Sequence, residues 1–225
     1  MVLPDDAAHH VRKVLRVSVS DTVEVFNGKV AHYAAFSTIS KSRVEVEIGE
    51  CCATLESPKL AITVIQSISR GERMDFSLQK AVELGAAGIV PVVSERTVVR
   101  LDRQRQEKRM AHWRGIIQHA SEQCGRIDLP ELGSIRTLNE WLVRDRNTPC
   151  WLLHPTAAES LAAQSPPGAA LSLLAGPEGG FSDEEIRSIE GHGIKPVNLG
   201  PRILRTESAA IAALAVAQAL WGDLG

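Results

Sequence analysis

Residues 173–182 read LLAGPEGGFS, and this stretch decides how the chain is interpreted. The apolar run Leu171–Ala175 is typical of a strand buried on both faces. It leads into a turn with three glycines, a proline and an acid within residues 176–180. Ser182 then begins a helix, and Glu185 three residues later completes a capping box. Because glycines let a ligand approach the backbone and a helix amino terminus offers free N–H groups, we interpret this turn as a ligand-binding loop. A tight strand-to-helix turn without a ligand is the alternative.

A second unusual strand end lies at residues 197–210, which read VNLGPRILRTESAA. A short strand, Val197–Leu199, runs through Gly-Pro into a polar loop, and Thr206 is placed to cap the helix Glu207–Leu220. Arg205 and Glu207 fall at the first turn of that helix, where they either pair with each other or serve a bound substrate. The helix is rich in alanine, which indicates close packing against a loop or a partner helix, or high helix propensity alone.

The pattern around these segments predicts two domains. Residues 1–57 alternate apolar and polar side chains over Thr22–Phe26 and Arg43–Ile48, and Asn27-Gly28 between apolar runs is a hairpin turn signal, so a small β domain is expected. Residues 58–225 alternate buried strands with helices, which predicts an α/β fold with a mostly parallel sheet. The remaining predicted strands are 60–68, 89–93 and 150–153, and the remaining predicted helices are 72–84 and 104–123.

Composition and charge narrow the function classes. The 225 residues are 44% hydrophobic and 23% charged, which is typical of a globular protein. No apolar stretch approaches the ~20 residues of a membrane span, and the amino terminus is acidic, unlike a secretory signal. A soluble cytoplasmic protein is therefore expected. The net charge is −2, yet residues 58–126 hold 12 basic against 7 acidic residues. This excess indicates a local anion-binding surface or a solvated helix face.

Metal and nucleotide chemistry are both disfavoured. The four cysteines, at positions 51, 52, 124 and 150, have no zinc-ligand spacing to one another or to a histidine, so no metal site is expected. Cys51 and Cys52 are instead predicted to be strand residues of a reduced protein. The glycine-rich motifs that hold the phosphates of nucleotides are absent from the sequence.

Taken together, these segments resemble the RsmE family of SPOUT-class RNA methyltransferases, which methylate uridine N3 in bacterial 16S ribosomal RNA. The likeness covers almost the whole chain, and several segments in order are more specific than either glycine-rich loop alone. The family often has arginine where this chain has His112. The segments are His9-His10 with Val14-Leu15-Arg16, Gly71–Asp75, Gln79–Gly85, Ser94–Arg96, Trp113–Arg126, Gly176–Phe181 and Leu199–Ala209.

The resemblance implies a small PUA-like β-barrel domain over 1–57, which binds RNA. A SPOUT domain over 58–225 follows, with a carboxyl-terminal deep trefoil knot. It implies a homodimer that uses S-adenosylmethionine to methylate N3 of uridine 1498 in 16S ribosomal RNA of the small subunit. This cofactor carries no phosphate, so the missing phosphate motifs agree with it. The residues expected to bind it are Leu174, Gly176, Pro177, Glu178, Gly180, Leu199, Gly200, Ile203, Leu204 and Thr206.

Uracil N3 is a weak nucleophile while it holds its proton, so the enzyme must remove that proton or stabilise the resulting anion. Arg205 is the candidate for stabilising the charge, Glu207 is the candidate base and Glu178 is its rival. Trp113, the only aromatic residue between Arg96 and Arg126, is expected in the core. The residues expected to contact RNA are Arg12, Lys13, Arg16, Arg96, Arg109, Arg114, Gln123 and Arg126.

Three alternative functions are weighed against this one. The first is another SPOUT methyltransferase, which acts on a ribose 2′-oxygen or on transfer RNA. The second is a non-catalytic RNA-binding factor in ribosome assembly, which has no reason to keep both glycine-rich loops. The third is a dinucleotide-dependent oxidoreductase, which the missing glycine fingerprint disfavours.

Overall fold

A computed structural model describes residues 1–15, 17–97, 102–144 and 148–225 of the chain. The chain forms two compact units. The first contains residues 1–56 together with 125–129, and the second contains residues 57–124 and 130–225. The sequence pattern gives no sign that residues 125–129 belong with the amino-terminal unit.

The first unit is built on a three-stranded antiparallel sheet. Helix α1 (Asp5–His10) continues as a π-helical turn over Val11–Leu15 and precedes the strands. The three strands pair in chain order, with the second strand in the centre of the sheet. Closure into a barrel stays a prediction. The strands are β1 (Thr22–Phe26), β2 (Val30–Ile39) and β3 (Val44–Thr54).

The predicted hairpin at Asn27-Gly28 is confirmed. Gly28 has a φ of 89°, and the Asn27 side chain accepts hydrogen bonds from the amides of Lys29 and Val30 at 3.0 and 3.1 Å. Strand β3 runs six residues beyond its predicted end, so the adjacent cysteines at 51 and 52 lie within it. Phe36, Val44 and Val46 form the core of this unit together with Ala8 and Val11.

The second unit contains a seven-stranded sheet in which every pairing is parallel, which confirms the predicted α/β class. The strand order is β10-β8-β9-β4-β5-β6, and β7 also pairs with β5. The strands are β4 (Ala61–Ser67), β5 (Gly88–Val93), β6 (Glu131–Leu132), β7 (Arg136–Thr137), β8 (Cys150–Leu153), β9 (Ala170–Ala175) and β10 (Lys195–Val197). The helices are α2 (Glu72–Glu83), α3 (Arg103–Cys124), α4 (Leu138–Leu142), α5 (Asp183–Gly191) and α6 (Thr206–Trp221).

Two apolar clusters cover the two faces of this sheet. One contains side chains of α2, α3 and α6, among them Met74, Trp113 and Leu214, and the other contains side chains of α4 and α5, among them Trp141 and Ile189. Burial on both faces explains why the central strands are continuous apolar runs. Trp113 is 1% exposed, as predicted for a core residue. Within the described ranges, no helix combines the length and the apolar character needed to cross a membrane.

Candidate active site

The two unusual strand ends lie beside one cleft in the second unit. Strands β9 and β10 both pair in parallel with β8, so the loops 176–182 and 198–205 leave from the same edge of the sheet. Residues of both loops line a cavity of about 570 Å³. Small-molecule sites occupy roughly 300–1,000 Å³, so the cleft has room for a cofactor.

A hydrogen bond from Thr206 joins the two loops. The expectation that Thr206 caps α6 is wrong, because Arg205 occupies the cap position and no side chain caps the helix there. The Thr206 hydroxyl instead donates to the carbonyl of Gly176 and accepts from Gln66 Nε2 at 3.0 Å. A tertiary partner 30 residues away therefore replaces the local capping interaction that the sequence predicts.

The other ends of the loops are also held by hydrogen bonds. The predicted capping box at Ser182 and Glu185 is confirmed, and the Glu185 carboxylate also accepts from the backbone amide of Glu95 at 2.7 Å. The strand expected at Val197–Leu199 is observed at Lys195–Val197. The strand ends before Asn198, whose side chain forms hydrogen bonds to residues outside the sheet. The Asn198 side chain donates to the Ala157 carbonyl at 2.8 Å and accepts from the Gly200 amide at 2.9 Å.

The structure brings eight of the ten residues expected to bind the cofactor to the wall of the cleft. Leu174 is fully buried in the core and does not reach the wall. Gly200 also lies outside the wall, and its φ of 91° serves the turn that follows β10. The eight lining residues are Gly176, Pro177, Glu178, Gly180, Leu199, Ile203, Leu204 and Thr206.

The two candidate catalytic residues line the cleft without pairing with each other. Arg205 is exposed, and no ion pair joins it to Glu207 in the described part of the chain. Glu207 is only 9% exposed, and among the described residues its buried Oε2 has no hydrogen-bond partner. A buried carboxylate oxygen without a partner costs free energy, which a ligand in the cleft can offset by bonding to it.

Glu178, the rival base, is already bonded. Its Oε1 accepts from the backbone amide of Arg70 at 3.1 Å and from the Arg73 guanidinium at 3.3 Å. These bonds hold the loop of residues 176–182, called the glycine-rich loop from here on, against the amino-terminal end of α2. Of the two acids, Glu207 is therefore the one whose carboxylate is free for a substrate.

The residues expected to contact RNA are spread over both units. In the second unit, Arg96 lines the cleft and donates to the Gly179 carbonyl at 2.8 Å. Arg109, Arg114 and Gln123 lie on α3, where Arg114 and Gln123 are exposed and Arg109 is half-buried. This helix does not reach the cleft wall, so these three residues form a surface apart from it.

In the first unit, Lys13 is exposed, whereas Arg12 donates to the backbone carbonyls of Ala8 and Ser40. Arg126 forms two bonds to the Asp128 carboxylate, of 2.7 and 3.0 Å, and only 18% of its side chain is exposed. The hydrogen bond from Arg126 is the main reason that the pKa of Asp128 lies below its usual value. Arg16 lies outside the described residues.

Several polar residues of the cleft wall were not predicted from the sequence as cofactor or catalytic residues. Arg73 comes from α2, His154 follows β8 directly, Asp183 starts α5, and Arg202 lies in the second loop. The rule that ligands bind beyond the carboxyl ends of parallel strands points to His154, because Cys150–Leu153 was a predicted strand. No cluster of side chains able to hold a metal ion occurs among the residues that the structure describes.

The fold and the cleft define an RNA methyltransferase domain. A family model of that description matches residues 56–218, and the model of an RNA methyltransferase PUA domain matches residues 3–49. The chain belongs to the ribosomal RNA small subunit methyltransferase E family.

Relatives of known name support this assignment. The ribosomal RNA small subunit methyltransferase E of Buchnera aphidicola from Schizaphis graminum is 38% identical, over 96% of this chain and 89% of its own. The protein of the same name in Buchnera aphidicola from Acyrthosiphon pisum is 32% identical, over 98% and 88%. The crystal structure of the Neisseria gonorrhoeae enzyme bound to S-adenosyl methionine matches with a TM-score of 0.94 and 42% identity, over 100% of this chain and 93% of that one.

Proposed function

We propose that this chain methylates N3 of uridine 1498 in 16S ribosomal RNA, with S-adenosylmethionine as the methyl donor. One observation carries the proposal. In a single cleft, a glycine-rich loop and apolar side chains lie beside an exposed arginine, Arg205, and a buried acid without a partner, Glu207.

The residues of the cleft suit this cofactor. Leu199 and Leu204 give an apolar wall for a purine ring, and the backbone of the two loops offers hydrogen bonds. Gly176 lies so close to Phe181 that an added Cβ would meet its ring at 3.1 Å, which indicates that the loop is packed tightly with bare backbone toward the cleft. We assign cofactor binding to the eight lining residues, and we propose that Leu174 and Gly200 support them from behind.

We assign the chemistry to the start of α6. When bound, S-adenosylmethionine supplies an electrophilic methyl group. Glu207 accepts the N3 proton of the uracil, and the Arg205 guanidinium stabilises the negative charge that then develops on the uracil oxygens. Glu178 holds the glycine-rich loop in place through Arg73 and the Arg70 amide and takes no part in proton transfer.

We assign RNA binding to the PUA-like domain, residues 1–57, and to the basic residues of the SPOUT domain, residues 58–225. Lys13, Arg96, Arg114 and Gln123 are the contacts that their exposure favours, and we assign the half-buried Arg109 together with Arg12 and Arg16 to the same set. The Asp128 carboxylate competes with phosphate for Arg126.

The proposal also includes a carboxyl-terminal knot, a homodimer, and action on the small ribosomal subunit in the cytoplasm. Asn198 bonds through its backbone to Glu159 and Leu161, so the chain after β10 is held against the segment that joins β8 to β9, which supports a threaded carboxyl terminus. The small side chains on α6 support a homodimer. The substrate would be the RNA within the small ribosomal subunit, in the cytoplasm.

Mass spectrometry of 16S ribosomal RNA from a strain that lacks the protein tests this function. The expected result is the loss of one base methylation, at N3 of uridine 1498, and its return when purified protein and S-adenosylmethionine are added to small subunits from that strain. Loss of a ribose 2′-O-methyl group would favour the other SPOUT activity. Unchanged RNA would favour the assembly factor.

A further inference from the structure

We infer that Gln66 is a positioning residue for methyl transfer, acting through Thr206 on both loops of the cleft. The inference rests on the proposed function, because it assigns a role in the same site. Gln66 itself does not line the cleft.

Gln66 stands near the carboxyl end of β4, which pairs with β9 on one side and β5 on the other. It is 1% exposed, and its Nε2 donates to the Thr206 hydroxyl and to the Ser67 carbonyl, both at 3.0 Å. Thr206 in turn donates to the Gly176 carbonyl. One chain of hydrogen bonds thus runs from the middle of the sheet to the start of α6 and on to the glycine-rich loop.

The direction of these hydrogen bonds requires an N–H donor at position 66, which the Gln66 amide supplies. A hydroxyl has one proton, and Thr206 gives its proton to the Gly176 carbonyl. The oxygen of Thr206 must therefore accept from its other neighbour, which requires an N–H donor at position 66. An apolar side chain removes that donor, and a carboxylate of the same shape competes with Gly176 for the Thr206 proton.

The place of Thr206 explains why its orientation matters for catalysis. It is the first residue of α6 and lies between Arg205 and Glu207 in the chain. Holding its hydroxyl from both sides fixes the helix start that carries the two proposed catalytic groups. A misplacement of about 1 Å can cost roughly 10²-fold in rate, so a distant support of this kind has a measurable effect.

A matched control separates positioning from general stability. Gln218 is also 1% exposed, its Nε2 donates to the Gly85 carbonyl at 3.1 Å, and its Oε1, like that of Gln66, has no partner among the described residues. It lies near the carboxyl end of α6 and does not line the cleft. If Gln66 only stabilises the fold, Gln66→Met and Gln218→Met should have the same consequences.

The experiment compares Gln66→Met with Gln218→Met in the full chain. We expect both to lower the melting temperature, but only Gln66→Met to lower kcat, by about tenfold or more at saturating S-adenosylmethionine. Thr206→Val should lower kcat at least as much as Gln66→Met, and the double variant should lose little more than Thr206→Val alone. If Gln66→Met does not fold, Gln66→Glu and Gln218→Glu provide the same comparison, because a carboxylate keeps the shape of the side chain and removes its N–H donor.

Amide hydrogen exchange gives a readout that needs no activity. Gln66→Met should speed exchange in residues 176–182 and 199–206, and Gln218→Met should not. Wild-type protein that neither binds S-adenosylmethionine nor methylates RNA would overturn the proposed function, and the exchange data would still decide the role of Gln66 as a loop support. Equal kcat losses for the two methionine variants, additive losses in the double variant, or unchanged loop exchange would overturn the inference.

Discussion

Arg205 is the residue on which the proposed charge stabilisation depends. It is exposed at the cleft and has no ion pair to Glu207 in the described part of the chain, so its guanidinium is available to a substrate. We expect Arg205→Ala to lower the transfer rate by roughly 10²-fold or more, as the loss of one charge-stabilising donor typically does. The dissociation constant of S-adenosylmethionine, measured by calorimetry, should change by less than about tenfold, because the interaction forms mainly in the transition state.

The control for this prediction is Arg187→Ala, which removes an exposed arginine of α5 that does not line the cleft. It should leave both the rate and the affinity near those of the wild type. Parallel loss of rate and cofactor affinity in Arg205→Ala would show that Arg205 binds the cofactor instead of stabilising the uracil anion.

Glu207 differs from Arg205 in that its role can be tested by pH. Its carboxylate is buried and partly without a partner, as a base that waits for a substrate proton would be. We expect Glu207→Gln to be slow near neutral pH and to recover part of its rate as the pH rises, because uracil N3 then loses its proton to water. The rate of the variant relative to the wild type at each pH is the measurement.

A Glu207→Gln variant that stays slow at every pH would mean that the acid orients Arg205 and removes no proton. Near-normal transfer by both Glu207→Gln and Arg205→Ala would place the chemistry on the other loop. Glu178 would then be tested next.

Asp128 gives a pH prediction for stability. The pKa of Asp128 lies below its usual value, chiefly because its carboxylate accepts a hydrogen bond from Arg126. A carboxylate with a lowered folded-state pKa stabilises the protein above its unfolded pKa, and this contribution is lost as the pH falls through the folded-state pKa. The stability difference between wild type and Asp128→Asn, from urea unfolding, should therefore be present at neutral pH and shrink below about pH 4. A difference that stays constant down to pH 2 would contradict this account.

Local patterns predicted whole elements well and contacts between elements poorly. The hairpin at Asn27-Gly28 and the capping box at Ser182 were predicted because each depends on residues that are near in sequence. Thr206 was misassigned as a cap because its partner, Gly176, lies 30 residues earlier and is invisible to local propensity. The hairpin turn implied a strand after Gly28, but the range of this strand, β2, was not predicted, although it is the central strand of its sheet.

The glycine-rich loop offers a prediction at this scale. We expect Gly176→Ala to weaken S-adenosylmethionine binding and to lower the melting temperature, because the added Cβ would lie 3.1 Å from the Phe181 ring, and such overpacking typically costs about 1–3 kcal/mol. Gly179→Ala is the matched control, since its Cβ would meet Arg96 at an ordinary 3.5 Å. Adding Phe181→Leu to Gly176→Ala should recover part of the loss, and equal effects of the two alanine substitutions would contradict the crowding argument.

For the whole molecule, the sequence predicted the parallel α/β architecture and the two loops of the site. Alternating apolar runs and helical periods are enough for the architecture, because a strand buried on both faces requires helices on both sides. The full wall of the cleft could not be predicted, since Arg73 comes from a helix whose distance from the loops depends on tertiary packing. The placement of residues 125–129 in the amino-terminal unit depends on the same kind of non-local contact.

The proposed dimer is the property of the whole molecule that α6 makes testable. Its buried residues, such as Ala213 and Leu214, pack inside the second unit. On the opposite side of the helix, four small residues follow one another at spacings of four, three and four, and they are exposed or half-buried. Small side chains on one face let two helices approach closely. These residues are Ser208, Ala212, Ala215 and Ala219.

We expect the wild-type chain to sediment as a dimer at sub-micromolar concentration, because obligate interfaces are large and apolar. Ala215→Arg should give a monomer and abolish methyl transfer, since a long charged side chain prevents close approach and the proposed active site at the start of α6 lies on the same helix. Ala111→Arg introduces the same charge at an exposed position of α3 and should remain a dimer. An Ala215→Arg monomer that still methylates RNA at the wild-type rate would show that one chain suffices for catalysis, and a wild-type monomer would remove the dimer from the proposal.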